Sequence, residues 1–276
     1  MKAILLRCSK VLCVTATVAL TACAAVDTTS GGTVGVQRKQ YMSGLVSEAQ
    51  LNQTAAQQYA DVIGQARNQK KLDTDGAQTK RVRAIADRLI AQVGAFRPDA
   101  QSWNWEVHVL QSSDVNAWCM PGGKIAVYSG LINQLKPTDA ELAAIIGHEM
   151  AHALREHARE QVSQQMATDI GLSVLSMVTG NAAVQDLGGN LSQVMFTLPN
   201  SRTHETEADR IGVELAARAG YDPRAAVSLW QKMAQLDGQG QTPEFLSTHP
   251  SAASRIQDLQ VMSDRVLPLY QAAAKP

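Results

Sequence analysis

The stretch ELAAIIGHEMAHALREH, residues 141–157, holds three histidines and three glutamates, and the chemistry depends on which of them share a direction. Four residues advance a helix by about 400°, so His148 and His152 fall on one face a turn apart, where two imidazoles grip one ion. Glu149 lies beside that face, angled towards water at the ion. A carboxylate there takes the water's proton as the oxygen attacks a carbonyl, then passes it to the leaving amine. His157 lies about half a turn away from His148. It is expected on the opposite face, with Arg155, Glu156 and Arg159 on a polar surface.

A catalytic zinc takes three protein ligands and keeps one position open. The form H-E-x-x-H-x-x-G-x-x-H would complete the set locally, but the chain has Arg155 and Ala158 at the required positions. The later segment SRTHETEADRIG, residues 201–212, supplies what is missing. Glu205 and Asp209 are four apart on one helical face. Glu205 is the expected third ligand, and Asp209 is placed to hold a ring N–H of a ligand histidine and so fix its tautomer. Glu207, about 200° from Glu205, should face away. Gly212, a further turn along, permits close helix packing. Alone, this segment would read as an acidic helix start favoured by the helix dipole. Its pairing with the upstream H-E-x-x-H motif points to ligation.

H-E-M-A-H, then S-R-x-x-E-x-E-A-D-R-x-G, then T-H-P at residues 248–250 resemble the M48 family of zinc metallopeptidases, with the likeness running from about Trp103 to about Leu259. The resemblance implies a gluzincin-type fold and one Zn2+ ion. It implies an active-site helix carrying His148, Glu149 and His152, and a later helix carrying Glu205. It further implies endopeptidase activity in envelope quality control, with unfolded or misassembled envelope proteins as substrates. Three roles follow from the resemblance only. His249 would approach the zinc and gate the site; Arg202 would orient Asp209 or bind substrate; Asn116 and Ala117 would lie on an edge strand that pairs with extended peptide. The tetratricopeptide array of larger members has no counterpart here, so its partner recognition is not implied. A second reading is a zinc-stabilised envelope chaperone or assembly factor, its protease site normally shut by His249 as fourth ligand. Glu149 favours catalysis, because a purely structural zinc has no use for a carboxylate there.

The elements that must position these groups read as α+β, a mainly helical body with a small sheet. Thr138 or Asp139 caps a helix from about Ala140 that carries the H-E-x-x-H motif. WNWEVHVL, from Trp103, alternates as a half-buried strand, with His108 on its solvent side. NAWCMPGGKIAVYSGLI reads as two strands around Pro121-Gly122-Gly123, with Pro121 suited to a sheet edge. From about Ser47 to Val93 the pattern is helical, and Leu72, Val82, Ile85, Leu89 and Val93 form one apolar face. The broken segment from Thr179 to Pro199 reads equally as a lid over the cleft or as a linker.

The N-terminus has Lys2, Arg7 and Lys10 before an apolar run from Val11 to Ala22, the pattern of a secretory signal peptide, expected over residues 1–22. Leu20-Thr21-Ala22-Cys23 resembles the lipobox of bacterial lipoproteins, which implies lipidation of Cys23, and Ala24 after it, where aspartate would imply retention in many lipoproteins, implies anchorage at the periplasmic face of the outer membrane. Residues 23–40, small, polar and Gly-rich, read as a flexible tether. The metallopeptidase domain is expected over 41–276, with N-terminal helices over 41–95 and a catalytic core over 103–259. With Cys8 and Cys13 removed and Cys23 lipidated, Cys119 is left without a disulfide partner and reads as a buried small apolar residue. The 276-residue chain is 45% hydrophobic, with 25 basic and 25 acidic residues. That balance gives no electrostatic footprint for a nucleic-acid partner.

Overall fold

The computed structural model describes residues 23–179, 187–238, 240, 243–250 and 253–276, with side chains for all but Cys23 and 169–179. The expected signal sequence and the 180–186 part of the expected lid lie outside the described residues.

The elements run β1 (Cys23–Val26), β2 (Gln40–Ser43), α1 (Glu48–Asn68), α2 (Gly76–Ile90), β3 (Glu106–Leu110), β4 (Ala117–Met120), β5 (Lys124–Tyr128) and α3 (Ser129–Leu135). They continue as α4 (Asp139–Leu154), α5 (His157–Thr179), α6 (Leu187–Phe196), α7 (Arg202–Arg218), α8 (Ala225–Gly238), α9 (Phe245–Thr248) and α10 (Ala253–Ala272). A mainly helical body with small sheets is the α+β class expected. The three-stranded sheet has the order β3-β5-β4, β3 parallel and β4 antiparallel to the central β5. Gly122 and Gly123 make the β4–β5 turn with φ of 78° and 83°, a region that favours glycine. β4 is therefore an edge strand, and Pro121 lies just past its end. β3 begins only at Glu106: Trp103 and Trp105 stack on each other ahead of it, ring centroids 5.5 Å apart. Leu72 also precedes its helix and bridges to Leu110.

α4 lies at the centre of the core. Every residue from Glu141 to Leu154 is buried, because α7 and α8 cover part of its circumference while α2 and β4 cover the rest. A helix enclosed on all sides needs no polar stripe, which is why Leu142–Ile146 is a continuous apolar run. Its start is set by a capping box: the Thr138 hydroxyl accepts from the Glu141 amide while Glu141 accepts from the Thr138 amide. Glu141 is further held by Lys232 at 2.7 Å and Ser228 at 2.8 Å.

Two expectations are corrected. The Gly-rich segment after Cys23 is packed against the domain instead of acting as a slack tether. β1 pairs antiparallel with β2, Val34 and Val36 are buried, and the Ser30 amide donates to the Phe96 carbonyl at 2.8 Å. Gly32 has φ +57°, and a Cβ there would stand 2.4 Å from the Phe96 ring, so this glycine serves close approach. The second correction concerns His157. α4 ends at Leu154, and Glu156 turns the chain through φ +52°, held by Arg97 at 2.6 Å and Arg159 at 2.8 Å. The helical projection from His148 therefore stops before it reaches His157, which starts α5 and is 1% exposed. Arg155, Glu156 and Glu160 are likewise buried.

Candidate metal centre

α4 and α7 cross at two glycines. A Cβ on Gly147 would stand 2.9 Å from the Gly212 carbonyl oxygen, and one on Gly212 would stand 2.7 Å from the His148 amide nitrogen. Backbones this close bring the side chains of the two helices together within about two turns of the crossing. His148 Nε2 is 3.1 Å from His152 Nε2 and 3.6 Å from Glu205 Oε2, and His152 Nε2 is 3.4 Å from Glu205 Oε1. His249 joins them from the end of α9, so that ligand atoms of His148, His152, Glu205 and His249 all lie within 4.8 Å of one another. The His249 ring stacks on Phe245, centroids 4.2 Å apart and 13° from parallel. Its Nδ1 is engaged by Thr248 Oγ1 at 3.0 Å and the Phe245 carbonyl at 3.2 Å. Nε2 is the nitrogen left to face the cluster.

These donors fit a zinc ion. Imidazole nitrogens and a carboxylate are among its usual ligands. Glu205 Oε1 is fully buried and accepts no hydrogen bond, a cost that a cation in the cluster would remove. Metal-binding imidazoles must also be neutral. Burial, reinforced by Arg255 and the neighbouring imidazoles, pushes the His152 pKa well below its usual range. Burial likewise lowers that of His249 to about 3.

Glu149 is buried beside the cluster, with Oε1 3.4 Å from His249 Nε2 and without a hydrogen-bond donor. Burial first, then the Glu205 charge, raises its pKa well above the carboxylate range, while the Cys119 backbone amide and Arg255 oppose the shift. A cleft of about 350 Å³ opens onto Glu149, His152 and His249 between β4 and α6. Asn116 and Ala117 stand on its β4 side, where the Asn116 carbonyl accepts from Tyr128 N at 3.0 Å. The other edge of β4 carries no strand partner among the described residues. Val194, Met195 and Phe196 of α6 border the opposite side. Cys119 lines the cleft floor and is buried, and burial raises its thiol pKa well above the usual value. His108 is far from this chemistry, bonded to Asp73 at 2.7 Å.

Asp209 Oδ1 lies 3.0 Å from His148 Nδ1. Its other partner is not Arg202. Arg202 is exposed at the start of α7 beside a surface hollow, and seven residues separate it from Asp209 by about 10 Å of helix. The arginine that meets Asp209 is Arg255, which forks the carboxylate at 2.7 and 2.8 Å, reaches Glu205 Oε2 at 2.6 Å and lies 4.0 Å over the Trp230 ring. Sequence reasoning gave Arg255 no role; its one signal was a cationic residue in the first turn of the helix after His249-Pro250. Sequence reasoning also missed the buried groups behind His152. His157 Nδ1 is 2.9 Å from His152 Nδ1, and His157 Nε2 is 3.0 Å from Glu207 Oε2. Glu207 does face away from Glu205, but into this buried network.

Residues 76–263 match the sequence pattern of Peptidase family M48. The chain is 41% identical over 152 residues to the mitochondrial metalloendopeptidase OMA1 of Arabidopsis thaliana, covering 55% of this chain and 30% of that protein. It is 38% identical over 199 residues to the mitochondrial metalloendopeptidase OMA1 of Bos taurus, covering 68% and 37%. With the beta-barrel assembly-enhancing protease of Escherichia coli (strain K12) it shares 26% identity over 220 residues, covering 75% and 43%. The chain thus spans about a third to under a half of the length of these three relatives. With the family pattern matched over more than half its length and a cluster fit for zinc within the match, the chain belongs to peptidase family M48.

Proposed function

We propose that this chain is a zinc-dependent endopeptidase that cleaves extended segments of unfolded or misassembled envelope proteins, anchored through lipidated Cys23 at the periplasmic face of the outer membrane. The observation that carries the catalytic part is the position of Glu149, a buried carboxylate beside the cluster of His148, His152, Glu205 and His249, outside that donor set and facing a cleft lined by β4, whose outer edge has no strand partner among the described residues. His148, His152 and Glu205 would hold the zinc, which when bound supplies Lewis acidity that polarises a scissile carbonyl and acidifies water. Glu149 accepts the proton from the attacking water at a carboxylate oxygen and returns it to the leaving amine. The free edge of β4, which begins at Ala117 just after Asn116, aligns an extended peptide by backbone hydrogen bonds.

The leader pattern and lipobox support the location. The name of the Escherichia coli relative agrees with an envelope setting, whereas the OMA1 relatives are named as mitochondrial. No helix among the described residues is long and apolar enough to cross a membrane.

The deciding experiment compares zinc-loaded wild type with Glu149→Gln on an unfolded protein substrate. Wild type should cleave, and the variant should be slower by about 10²–10⁴-fold with its zinc retained. Equal rates would remove Glu149 from the reaction. The second reading, a normally shut site, is favoured by the His249 imidazole in the cluster. His249→Ala should then raise cleavage while lowering zinc affinity; a fall in cleavage would give His249 a part in the reaction instead.

A further inference from the structure

We propose that His157 and Glu207, backed by Arg38 from the N-terminal segment, form a positioning relay that fixes the tautomer and orientation of His152; this rests on the zinc reading of the cluster. His152 faces the other ligands with Nε2. A neutral imidazole that offers its lone pair from Nε2 carries its proton on Nδ1. That Nδ1 is 2.9 Å from His157 Nδ1, which must therefore accept. The proton of neutral His157 is then on Nε2, 3.0 Å from Glu207 Oε2. One proton arrangement satisfies both contacts, and it leaves His152 in the tautomer that metal binding needs.

The two ligand histidines of α4 are thus supported differently. His148 meets a carboxylate directly, Asp209, which Arg255 holds. His152 reaches its carboxylate through a second imidazole, and two arginines hold that carboxylate. Arg155 donates to Glu207 Oε2 from Nε at 3.2 Å and Nη2 at 3.1 Å. Arg38 donates to Glu207 Oε1 from Nε at 2.7 Å and to Oε2 from Nη2 at 3.1 Å. Arg38 also forks Glu160 at 2.7 and 2.8 Å, and Glu160 meets His204 Nε2 at 3.0 Å. The His204 ring stacks on His157 with centroids 4.2 Å apart and planes 12° from parallel. The stack fixes the plane of His157 while Glu207 fixes its rotation about the ring normal. His157 and Glu207 are 1% and 6% exposed, so water does not compete for these bonds. The N-terminal segment closes the shell: the Thr29 hydroxyl accepts from Arg155 at 3.1 Å, and the Gln40 amide donates to the Arg155 carbonyl.

The test measures zinc affinity by chelator competition in the full chain for wild type, His157→Phe, His157→Gln and Arg38→Ala, together with 15N ring shifts of the zinc-loaded wild type. His157→Phe keeps a ring on His204 but removes both ring nitrogens, and should weaken zinc by about 10- to 100-fold. His157→Gln keeps an acceptor and a donor and should recover part of that loss. Arg38→Ala, on a partly exposed side chain, should weaken zinc several-fold. The 15N shifts should place the His152 proton on Nδ1 and the His157 proton on Nε2. A His157 proton on Nδ1, or His157→Phe binding zinc as wild type does, overturns the relay while leaving the zinc reading intact. An unchanged Arg38→Ala variant removes the N-terminal segment from it. A wild type that binds no zinc overturns the zinc reading, and the relay with it.

Discussion

Arg255 is the residue on which two buried carboxylates depend. It forks Asp209 and touches Glu205, and its charge, with the hydrogen bonds it donates, holds the Asp209 pKa at about 2 despite burial. Arg255→Leu would leave both carboxylates without their cation, and should cost about 3–5 kcal/mol of stability in denaturant unfolding. A cost near zero would mean that the pair is dispensable. The same site predicts acid sensitivity. His152, His157 and His249 have pKa values depressed by burial, so they stay neutral in the fold while the unfolded chain takes up protons below about pH 6.5. Their stabilisation is complete above that pH and is lost as pH falls. Asp209 follows: its contribution of about 2 kcal/mol is present above about pH 4 and is lost towards pH 2. In the presence of chelator, the thermal midpoint should decline from pH 7 to pH 5 and fall further below pH 4. A flat midpoint between pH 7 and pH 5 would contradict the burial of neutral histidines.

At the scale of elements, the α4–α7 crossing decides whether ligands from two helices meet. Gly212→Ala would drive a Cβ to 2.7 Å from the His148 amide nitrogen. The atoms met are all backbone, so the helices must separate, carrying Glu205 away from the histidines. The expected cost is about 1–3 kcal/mol, with weaker zinc binding. Gly64→Ala in α1, where an added Cβ meets nothing within 4 Å, should instead stabilise by about 0.4–1 kcal/mol. Calorimetry on the two variants separates crowding from helix propensity. The start of α4 was legible because its cap and buried run are local signals. Its end was not: the left-handed turn is held by contacts that include the ion pairs of Glu156 with Arg97 and Arg159, and Arg97 is distant in the chain. That one turn moved His157 from an expected outer face to the back of His152.

At the scale of the molecule, the N-terminal segment belongs to the folded body. A chain beginning at Gln40 would lose the burial of Val34 and Val36, each worth about 1.5–3 kcal/mol, as well as Arg38. It should melt well below a chain beginning at Ala24, and equal melting would return the segment to the status of a tether. The sequence by itself determined what helical periodicity controls: His148 and His152 one turn apart, Glu149 beside them, and Glu205 and Asp209 on one face of a later helix. These relations are local, because the backbone repeat alone sets them. Tertiary structure decided which long-range partners complete them: Arg255 instead of Arg202 at Asp209, His249 beside the ligands, His157 and Glu207 behind His152, and Arg38 closing the shell. Those contacts join residues whose separation along the chain carries no directional information, and the close approach of α4 and α7 at their glycines, with the turn at Glu156, brings them together.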